Sequence, residues 1–530
     1  MENHRITIMN KLLIVAPIAA VASGQANRQA VAAEKGDSSH PNIVIMITDQ
    51  QRADLCSREN FPADLTPFAD MMANEGIWFN HAYTPCPASG PARVSLLTGR
   101  FPRVTHADSN HNIEDAVFGK DLFDVATEAG YRTVLVGKNH TYLKKDKLDG
   151  WIPYNHLGQE APDYVKASGG AAFDKYLKTL SFFTDINPAP GTVEDQQPYR
   201  MVSDALEWAD ENSSKPFVML LSFPEPHNPY QVCEPYYSMF DGLIPSARTD
   251  TSSLAIKGEK YQQLFTMMNM GHKGMYENLA RIRKNYMGMI RLIDEQMARF
   301  VEGMKEKGLY DNTIFVITAD HGDYAGEYGL MKKGAGVAEA ITRIPMVWFG
   351  KGVKQQGLSD AHVSLIDIFP TACEIMGSGI PLGVQGRSLT QVLSGEEYPK
   401  TEFQSIISEA GFGGQFITAE DADDYRAEGA IGKGLFFDEL NSWSQSGTIS
   451  MVRKGDWKFV MDMNGNCELY NLKKDPSEVN NLFGVKKYSK VQDDLTRELL
   501  KWEIAINDPI PVPRHRYRFK RYNHNYLFTE

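Results

Sequence analysis

Residues 42–50 read NIVIMITDQ, an apolar run that ends in two polar side chains, Asp49 and Gln50. A short, nearly continuous apolar run is typical of a strand that is buried on both faces of a parallel sheet. Three further runs have the same character: YRTVLVG at 131–137, FVMLLSF at 217–223 and TIFVIT at 313–318. Stretches with helical periodicity lie between them. This alternation predicts an α/β fold with a large mixed, mostly parallel sheet that helices flank on both faces.

Polar residues follow each of these apolar runs. In open α/β sheets ligands bind outside the carboxyl ends of the strands, so these positions are candidates for a functional site. In chain order the candidates are Asp49 and Gln50, Lys138 and His140, His227, and Asp320 and His321. We expect their side chains to lie close together at one edge of the sheet.

The chain has 530 residues, of which 42% are hydrophobic and 23% charged, as in ordinary globular proteins. A single core usually stops growing at roughly 250–300 residues, so we expect more than one domain. From about residue 398 the apolar stretches become shorter, with turn residues at 454–456 and 464–466. We predict a main domain at 37–397 and a smaller C-terminal α+β domain with an antiparallel sheet at 398–530.

The first residues have the layout of a secretory signal. Arg5 and Lys11 precede an apolar run at 12–22, and small residues follow it. The run is shorter than the ~20 apolar residues of a membrane-spanning helix, and Pro17 interrupts it. We therefore predict a signal peptide at 1–26 and an exported protein, periplasmic or secreted, without stable membrane insertion.

The net charge of −12 argues against binding to nucleic acid, which normally requires a basic face. An anionic substrate would therefore need a local basic pocket. No two of the five cysteines have the close spacing of a zinc or redox site. Their pattern leaves two interpretations open, one disulfide or a set of buried thiols.

The most specific motif is SGPARVSLLTGR at residues 89–100. It resembles the signature of the formylglycine-dependent sulfatases, in which a Cys or Ser is followed by Pro, Arg and a Thr-Gly-Arg ending. Ser89, Pro91 and Arg93 occupy these positions, whereas the register that starts at Cys86 lacks the proline. The resemblance implies a serine-type, type I sulfatase of the alkaline phosphatase-like superfamily. In it an anaerobic-type sulfatase-maturating enzyme oxidises Ser89 to formylglycine (3-oxoalanine).

The resemblance extends in the family's order through nearly all of the predicted mature chain and assigns roles to the other candidates. It implies that a cation is held by Asp49, Gln50, Ser89, Asp320 and His321. It implies that sulfate is bound by Lys138, His227 and Lys333, with Lys332 as the alternative to Lys333. Oxygen-rich ligands and the family favour Ca²⁺. Because Gln50 and His321 stand where many members have Asp and Asn, Mg²⁺ stays open as an alternative.

The resemblance also implies a mechanism. Arg93, Lys138, Lys333 and the cation neutralise the sulfate oxygens, and one hydroxyl of the hydrated aldehyde at position 89 attacks sulfur. His227 protonates the leaving alkoxide. His140 then deprotonates the second hydroxyl of the sulfate hemiester, and sulfate is expelled.

The expected substrate is a sulfated carbohydrate, cut by an exo-acting glycan O-sulfatase, with choline sulfate and aryl sulfates left open. Two other functions compete. One is a phosphomonoester, phosphodiester or phosphonate hydrolase of the same superfamily, and the other is a non-catalytic protein that binds sulfated glycans. The expected specificity loops lie at 157–197, 236–274 and 411–446, and a basic strip lies at 514–521.

Overall fold

The structure is a computed structural model that describes residues 40–160, 170–180, 184–271, 274–414, 446–507 and 523–528. The predicted signal peptide at 1–26, the basic strip at 514–521 and parts of the expected specificity loops lie outside the described residues. All described residues belong to one unit that spans Gly36–Glu530. Across these residues no helix is long and apolar enough to cross a membrane.

The apolar runs of the sequence are the central strands of a nine-stranded sheet with the order β5-β4-β3-β6-β1-β7-β8-β2-β9. The strands are β1 (Asn42–Thr48), β2 (Ile77–Tyr83), β3 (Arg132–Gly137), β4 (Gly150–Asn155), β5 (Gly158–Gln159), β6 (Phe217–Phe223), β7 (Thr313–Ala319), β8 (Met346–Gly350) and β9 (Gly357–Ser364). The pairs from β4 to β7 are parallel, whereas β8 runs antiparallel to β7 and β2. This confirms a mixed, mostly parallel sheet.

Helices cover both faces of this sheet. They are α1 (Pro67–Glu75), α2 (Ser89–Thr98), α3 (Pro102–Thr105), α4 (Leu122–Glu128), α5 (Gly170–Leu180), α6 (Gln197–Glu211), α7 (Leu254–Lys257), α8 (Glu259–Gly271), α9 (Leu279–Glu306), α10 (Glu339–Thr342), α11 (Ile368–Ile375), α12 (Thr390–Ser394) and α13 (Ser489–Ile506). In β1, Ile43 and Ile45 pack on the side of α2, α4 and α11, and Val44 and Met46 pack on the side of α1, α6 and α9. Successive strand residues point to opposite faces, so an apolar residue at every position serves two cores.

The region after residue 398 contains a four-stranded antiparallel sheet, β10-β11-β12-β13. Its strands are β10 (Ser405–Gly413), β11 (Gly447–Lys454), β12 (Trp457–Asp462) and β13 (Cys467–Asn471). Helix α13 packs on it through Leu499 and Trp502. The same hydrophobic cluster includes Tyr83 and Phe101 from the large-sheet part, and the domain boundary at residue 398 stays a prediction.

All five cysteines lie in the described residues, and none of them forms a disulfide there. Four are buried and Cys467 is half-buried. Of the two interpretations that the sequence left open, the structure therefore has the set of thiols and no disulfide among them.

Candidate active site

The carboxyl ends of β1 and β7 bring four predicted site residues together. The two strands pair in parallel, with Thr48 opposite Ala319. The residues that follow them are Asp49, Gln50, Asp320 and His321, all with no exposed surface. The backbone N–H of Gln50 donates to Asp320 Oδ1 at 2.9 Å, and the N–H of Asp320 donates to the carbonyl of Thr48 at 3.1 Å. These bonds lock the two strand ends to each other.

Ser89 is the first residue of α2, and every residue of that helix is buried. Its hydroxyl donates to Asp49 Oδ1 at 3.1 Å and lies 2.9 Å from His321 Nε2. Gly90 lets the helix start here, because a Cβ at that position would lie 2.6 Å from the side chain of Ile113. The helix therefore presents its N-terminus and Ser89 to the two carboxylate-bearing strand ends, a place where the helix dipole favours an anion.

Arg93 lies one turn further along α2 and is 2% exposed. Its Nε donates to Asp320 Oδ2 at 2.8 Å and its Nη1 donates to Ser222 Oγ at 2.6 Å. Its Nη2 is buried, lies 3.8 Å from Asp49 Oδ2 and has no hydrogen-bond partner among the described residues. A guanidinium with an unused donor inside the site is suited to receive an anionic oxygen.

Lys138 follows β3 and forms an ion pair with Asp49. Gly137 permits this approach, because a Cβ there would lie 2.0 Å from the carbonyl oxygen of Ser222. Burial, together with the nearby positive charge of Arg93, lowers the pKa of Lys138 to about 8 although Asp49 opposes the shift. Burial would raise the pKa of Asp49, but Lys138, His227 and Arg93 outweigh it and hold that pKa well below its usual value.

Lys333 reaches the site from the segment after β7. Its ammonium group donates to Gln50 Oε1 at 2.7 Å, and both side chains are fully buried. Of the two adjacent lysines, Lys333 therefore contacts a predicted cation ligand, while the backbone N–H of Lys332 bonds to Asp323 Oδ1 at 3.0 Å. The ammonium group of Lys333 thus lies beside a predicted cation ligand.

The predicted histidines differ in how their rings are held. His321 Nδ1 donates to the carbonyl of Gly322 at 2.9 Å, so its Nε2 carries the lone pair that faces Ser89. Burial, together with the positive charge of Lys333, lowers the pKa of His321 to about 4. His227 Nδ1 donates to the carbonyl of Asn228 at 2.8 Å. His140 is half-buried, and its Nδ1 has no hydrogen-bond partner among the described residues.

Three residues of this region adopt left-handed backbone conformations without being glycine. The φ angles are 69° at Gln50, 43° at His140 and 64° at Lys332. Such conformations cost about 1–3 kcal/mol each and persist only where the surrounding structure holds them. The surrounding contacts must therefore hold these three backbones in place.

Four residues of the site were not predicted from the sequence. His156, directly after β4, stacks on His227 with ring centroids 3.9 Å apart, and its Nε2 lies 3.7 Å from Asp49 Oδ2. Ser222 accepts from Arg93, while Tyr230 and Asp323 both bond to the Gln50 amide. His156 carried a usable signal, since it follows a short strand, but that strand is not a continuous apolar run.

The donor atoms fit a divalent cation. Ligand atoms of Asp49, Asp320 and His321 all lie within 4.8 Å of one another and are buried. Ser89 Oγ contacts Asp49 of this group, and Gln50 Oε1 accepts from Lys333. Carboxylate and amide oxygens suit Ca²⁺ or Mg²⁺, and the imidazole nitrogen widens the choice to transition metals.

The site is also the local basic pocket that the acidic chain required for an anionic substrate. Arg93, Lys138 and Lys333 converge on it and are at most 4% exposed. With a divalent cation bound, their charges exceed those of Asp49 and Asp320. A buried excess of positive charge is stabilised by an anion that brings its own oxygens as acceptors.

Comparison with known proteins identifies the family. Residues 41–378 match the family described as Sulfatase. An arylsulfatase of Clostridium perfringens is 27% identical, with 87% of this chain and 94% of that protein covered. An N-acetylglucosamine-6-O-sulfatase of Bacteroides thetaiotaomicron is 24% identical, with 92% and 90% covered.

The fold agrees with this family. The crystal structure of the phosphonate monoester hydrolase of Agrobacterium radiobacter superimposes with a TM-score of 0.69 at 23% identity, covering 88% of this chain and 96% of the other. The large mixed sheet with a smaller antiparallel sheet is the alkaline phosphatase-like architecture. The family match spans more than half of the chain and includes every site residue described above. The chain therefore belongs to the sulfatase family and is a sulfuric ester hydrolase.

Proposed function

We propose that the chain is an exo-acting glycan O-sulfatase whose nucleophile is a formylglycine made from Ser89. The observation that carries the proposal is the position of the Ser89 hydroxyl, 3.1 Å from Asp49 Oδ1 and 2.9 Å from His321 Nε2. Arg93, Lys138 and Lys333 surround these partners. A nucleophile at residue 89 would lie next to the sulfur of a sulfate ester whose oxygens contact Arg93, Lys138 and Lys333.

The charged side chains bind and orient the sulfate group. Arg93 offers its unused Nη2, and Lys138 and Lys333 offer ammonium groups, so the oxygens of a sulfate ester find donors on several sides. Asp49, Gln50, Asp320 and His321 would hold a cation, Ca²⁺ in our proposal. Such a cation polarises the sulfate oxygens and lowers the pKa of a hydroxyl at residue 89.

Two histidines move the protons. Burial and the nearby charge of Lys138 hold the pKa of His140 well below its usual value, so its ring is neutral and able to accept a proton from residue 89. Burial, His156 and Lys333 also lower the pKa of His227 in the free site. A bound sulfate ester adds negative charge beside His227, which favours the protonated ring needed to protonate the leaving oxygen.

The proposed substrate class is supported by the anion-binding side chains of the site and by a relative of this chain. One relative of this chain is named as an N-acetylglucosamine-6-O-sulfatase, a name that denotes a sulfated sugar as substrate. We propose the same class of substrate, a sulfated carbohydrate, for this protein. We also propose export by the signal peptide at 1–26 to the periplasm or the medium, and maturation by an anaerobic-type sulfatase-maturating enzyme.

Mass spectrometry of the peptide that contains Ser89 tests the nucleophile. The protein is produced with and without a serine-type maturase, and free sulfate is measured with a panel of sulfated sugars, choline sulfate and an aryl sulfate. We expect the matured peptide to lack the mass of one hydrogen molecule, and only that protein to release sulfate. Turnover by Ser89→Ala at the level of the matured protein would refute the proposal, since loss of a nucleophile normally costs at least about ten-thousandfold.

A phosphorus ester hydrolase is the second candidate. The phosphonate monoester hydrolase fold supports it, and Ser89 itself, which bonds to Asp49 and faces His321, could act without oxidation. Matched sulfate, phosphate and phosphonate esters of one alcohol separate the two. Higher kcat/KM on the phosphorus esters with unmodified Ser89 would favour this candidate over the sulfatase.

A further inference from the structure

The amide of Gln50 lies between two partners that each have a single hydrogen-bonding role. Lys333 Nζ donates to Gln50 Oε1 at 2.7 Å, and Gln50 Nε2 donates to Asp323 Oδ2 at 2.7 Å. An ammonium group can only donate, and an ionised carboxylate can only accept. A turned amide would place its NH₂ against the ammonium and its oxygen against the carboxylate. The two partners therefore allow one orientation of the amide.

Asp323 accepts hydrogen bonds through both of its carboxyl oxygens. Its Oδ1 accepts from the backbone N–H of Ala325 at 2.6 Å and of Lys332 at 3.0 Å. Its Oδ2 accepts from Gln50 Nε2 and from the hydroxyl of Tyr230 at 2.6 Å. Asp323 has no exposed surface, and these four donors leave its oxygens in the role of acceptors.

Two tyrosines hold the other atoms of Gln50. Tyr230 accepts from Gln50 Nε2 at 3.1 Å, and Tyr286 donates to the carbonyl oxygen of Gln50 at 2.8 Å. The two rings meet edge to face, with centroids 5.8 Å apart. The backbone N–H of Gln50 is bound to Asp320. Each polar group of Gln50 thus has a partner, and its left-handed backbone has little freedom left.

From this geometry we infer that Asp323 is a positioning residue for Gln50. It makes Gln50 present its oxygen, rather than its nitrogen, to Lys333 and to a cation held by Asp49, Asp320 and His321. The inference rests on the proposed function, because it concerns the cation of that site. The inference explains how the neutral side chain of Gln50 can act as a cation ligand, because its amide nitrogen is hydrogen-bonded to the carboxylate of Asp323. Asp323 acts through Gln50.

Cation titration of the full-length, unmatured, chelator-treated protein tests this without any turnover. Calorimetry with Ca²⁺ and with Mg²⁺ compares the parent, Asp323→Asn, Gln50→Glu and the double variant. In Asp323→Asn the new amide keeps its oxygen on the two backbone N–H groups and turns its NH₂ toward Gln50 Nε2. Two donors then face each other, and we expect cation affinity to fall about tenfold to hundredfold.

The double variant Gln50→Glu with Asp323→Asn exchanges the amide and the carboxylate. The NH₂ of the new asparagine donates to the new glutamate, which again offers oxygen to Lys333. We expect it to bind the cation more tightly than Asp323→Asn alone. A double variant no tighter than that single variant would overturn the inference, as would Asp323→Asn affinity equal to that of the parent. Asp456→Asn, on an exposed turn, is the matched control and should bind like the parent.

The outcomes separate this inference from the function on which it rests. A parent protein that binds no divalent cation would overturn the cation site and the inference together. A parent that binds, with Asp323→Asn equal to it, overturns the inference alone. If Asp323→Asn does not fold, Tyr230→Phe takes its place, because it removes a bond to Asp323 and one to Gln50, together with one from the backbone N–H of Lys332. We expect a smaller loss of affinity there, and parent affinity would refute the inference.

Discussion

Two buried lysines in this protein differ in their electrostatic surroundings. Lys458, on β12 of the small sheet, is fully buried and forms ion pairs with Glu478 at 2.8 Å and Glu339 at 3.2 Å. Burial would lower its pKa, but the two carboxylates outweigh burial and raise it. Lys138 in the active site is almost as buried, yet its pKa falls to about 8, because burial and Arg93 together outweigh Asp49.

The difference separates a structural charge cluster from a functional one. Around Lys458 the carboxylates outnumber the lysine, and its charge is neutralised by the fold. Around Lys138 the carboxylates Asp49 and Asp320 also interact with Arg93, so they compensate the charge of the lysine less fully. Perturbed pKa values occur in both kinds of cluster, so the sign of the shift and the neighbouring charges distinguish them here.

The largest effect on stability should come from Lys458→Met. It leaves the buried Glu478 without its cation and removes one ion-pair partner of the half-buried Glu339. Removal of one partner from a buried pair costs about 3–5 kcal/mol. Chemical denaturation measures the loss, and kcat/KM of the folded variant should stay close to that of the parent. The triple variant that also carries Glu339→Gln and Glu478→Gln should recover part of the stability. If Lys458→Met lost activity but kept the stability of the parent, the structural role assigned to the Lys458 cluster would be wrong.

The reverse pattern is expected for Lys138→Met. Loss of one buried donor to the sulfate group should lower kcat/KM by about 10²–10³. The free energy of unfolding should change much less than in Lys458→Met. The reason is that burial and Arg93 already disfavour the charged form of Lys138 in the folded state. Steady-state kinetics and denaturation on the same preparation check both values. Equal destabilisation by the two substitutions would remove the distinction between the clusters.

A smaller effect is expected at His156, which stacks on His227. Loss of an aromatic stack costs about 0.5–1.5 kcal/mol, so His156→Ala should lower kcat/KM by up to about tenfold. The loss should grow for poor leaving groups, because proton donation by His227 matters more there. A series of aryl sulfates measures this dependence, and His156→Phe, which keeps the stack, is the control. A uniform loss across the series would argue against a role through His227.

The smallest effect is a pH dependence of stability from Lys458. Its pKa is raised in the folded state above the ordinary value of 10.5. The stability it contributes is therefore fully present below that ordinary value and is lost as pH rises through the higher folded pKa. Unfolding free energies of the parent and of Lys458→Met should converge as pH increases in this range. A gap that stays constant would contradict the raised pKa.

Much of the fold could be predicted because the central strands are apolar on both faces. NIVIMIT is strand β1 as predicted, and the segment predicted at 313–318 is β7 with one added residue. The edge strand β9, GLSDAHVS, carries polar residues and has no such pattern. Its place beside β2 depends on pairing with a distant segment, which local pattern does not specify.

The candidate site could be predicted where polar residues follow strong strands or complete a motif, as Asp49, Ser89 and Asp320 do. Asp323 and His156 could not be assigned in the same way. Asp323 is 273 residues from Gln50 along the chain, and no local signal joins them. His156 follows a strand of mixed polarity, and only the stack on His227 gives it a role.

By itself the sequence determined the central strands, the motif around Ser89 and the order of the charged residues, because apolar periodicity and motif spacing are local properties. Only the tertiary structure decided which charges meet. Hydrogen bonds and charge interactions act over a few ångströms in space, whatever the separation along the chain. The folded arrangement therefore decided that Lys138 lies beside Arg93 as well as Asp49 and Asp320, that Lys458 lies between two carboxylates, and that Gln50 meets Asp323.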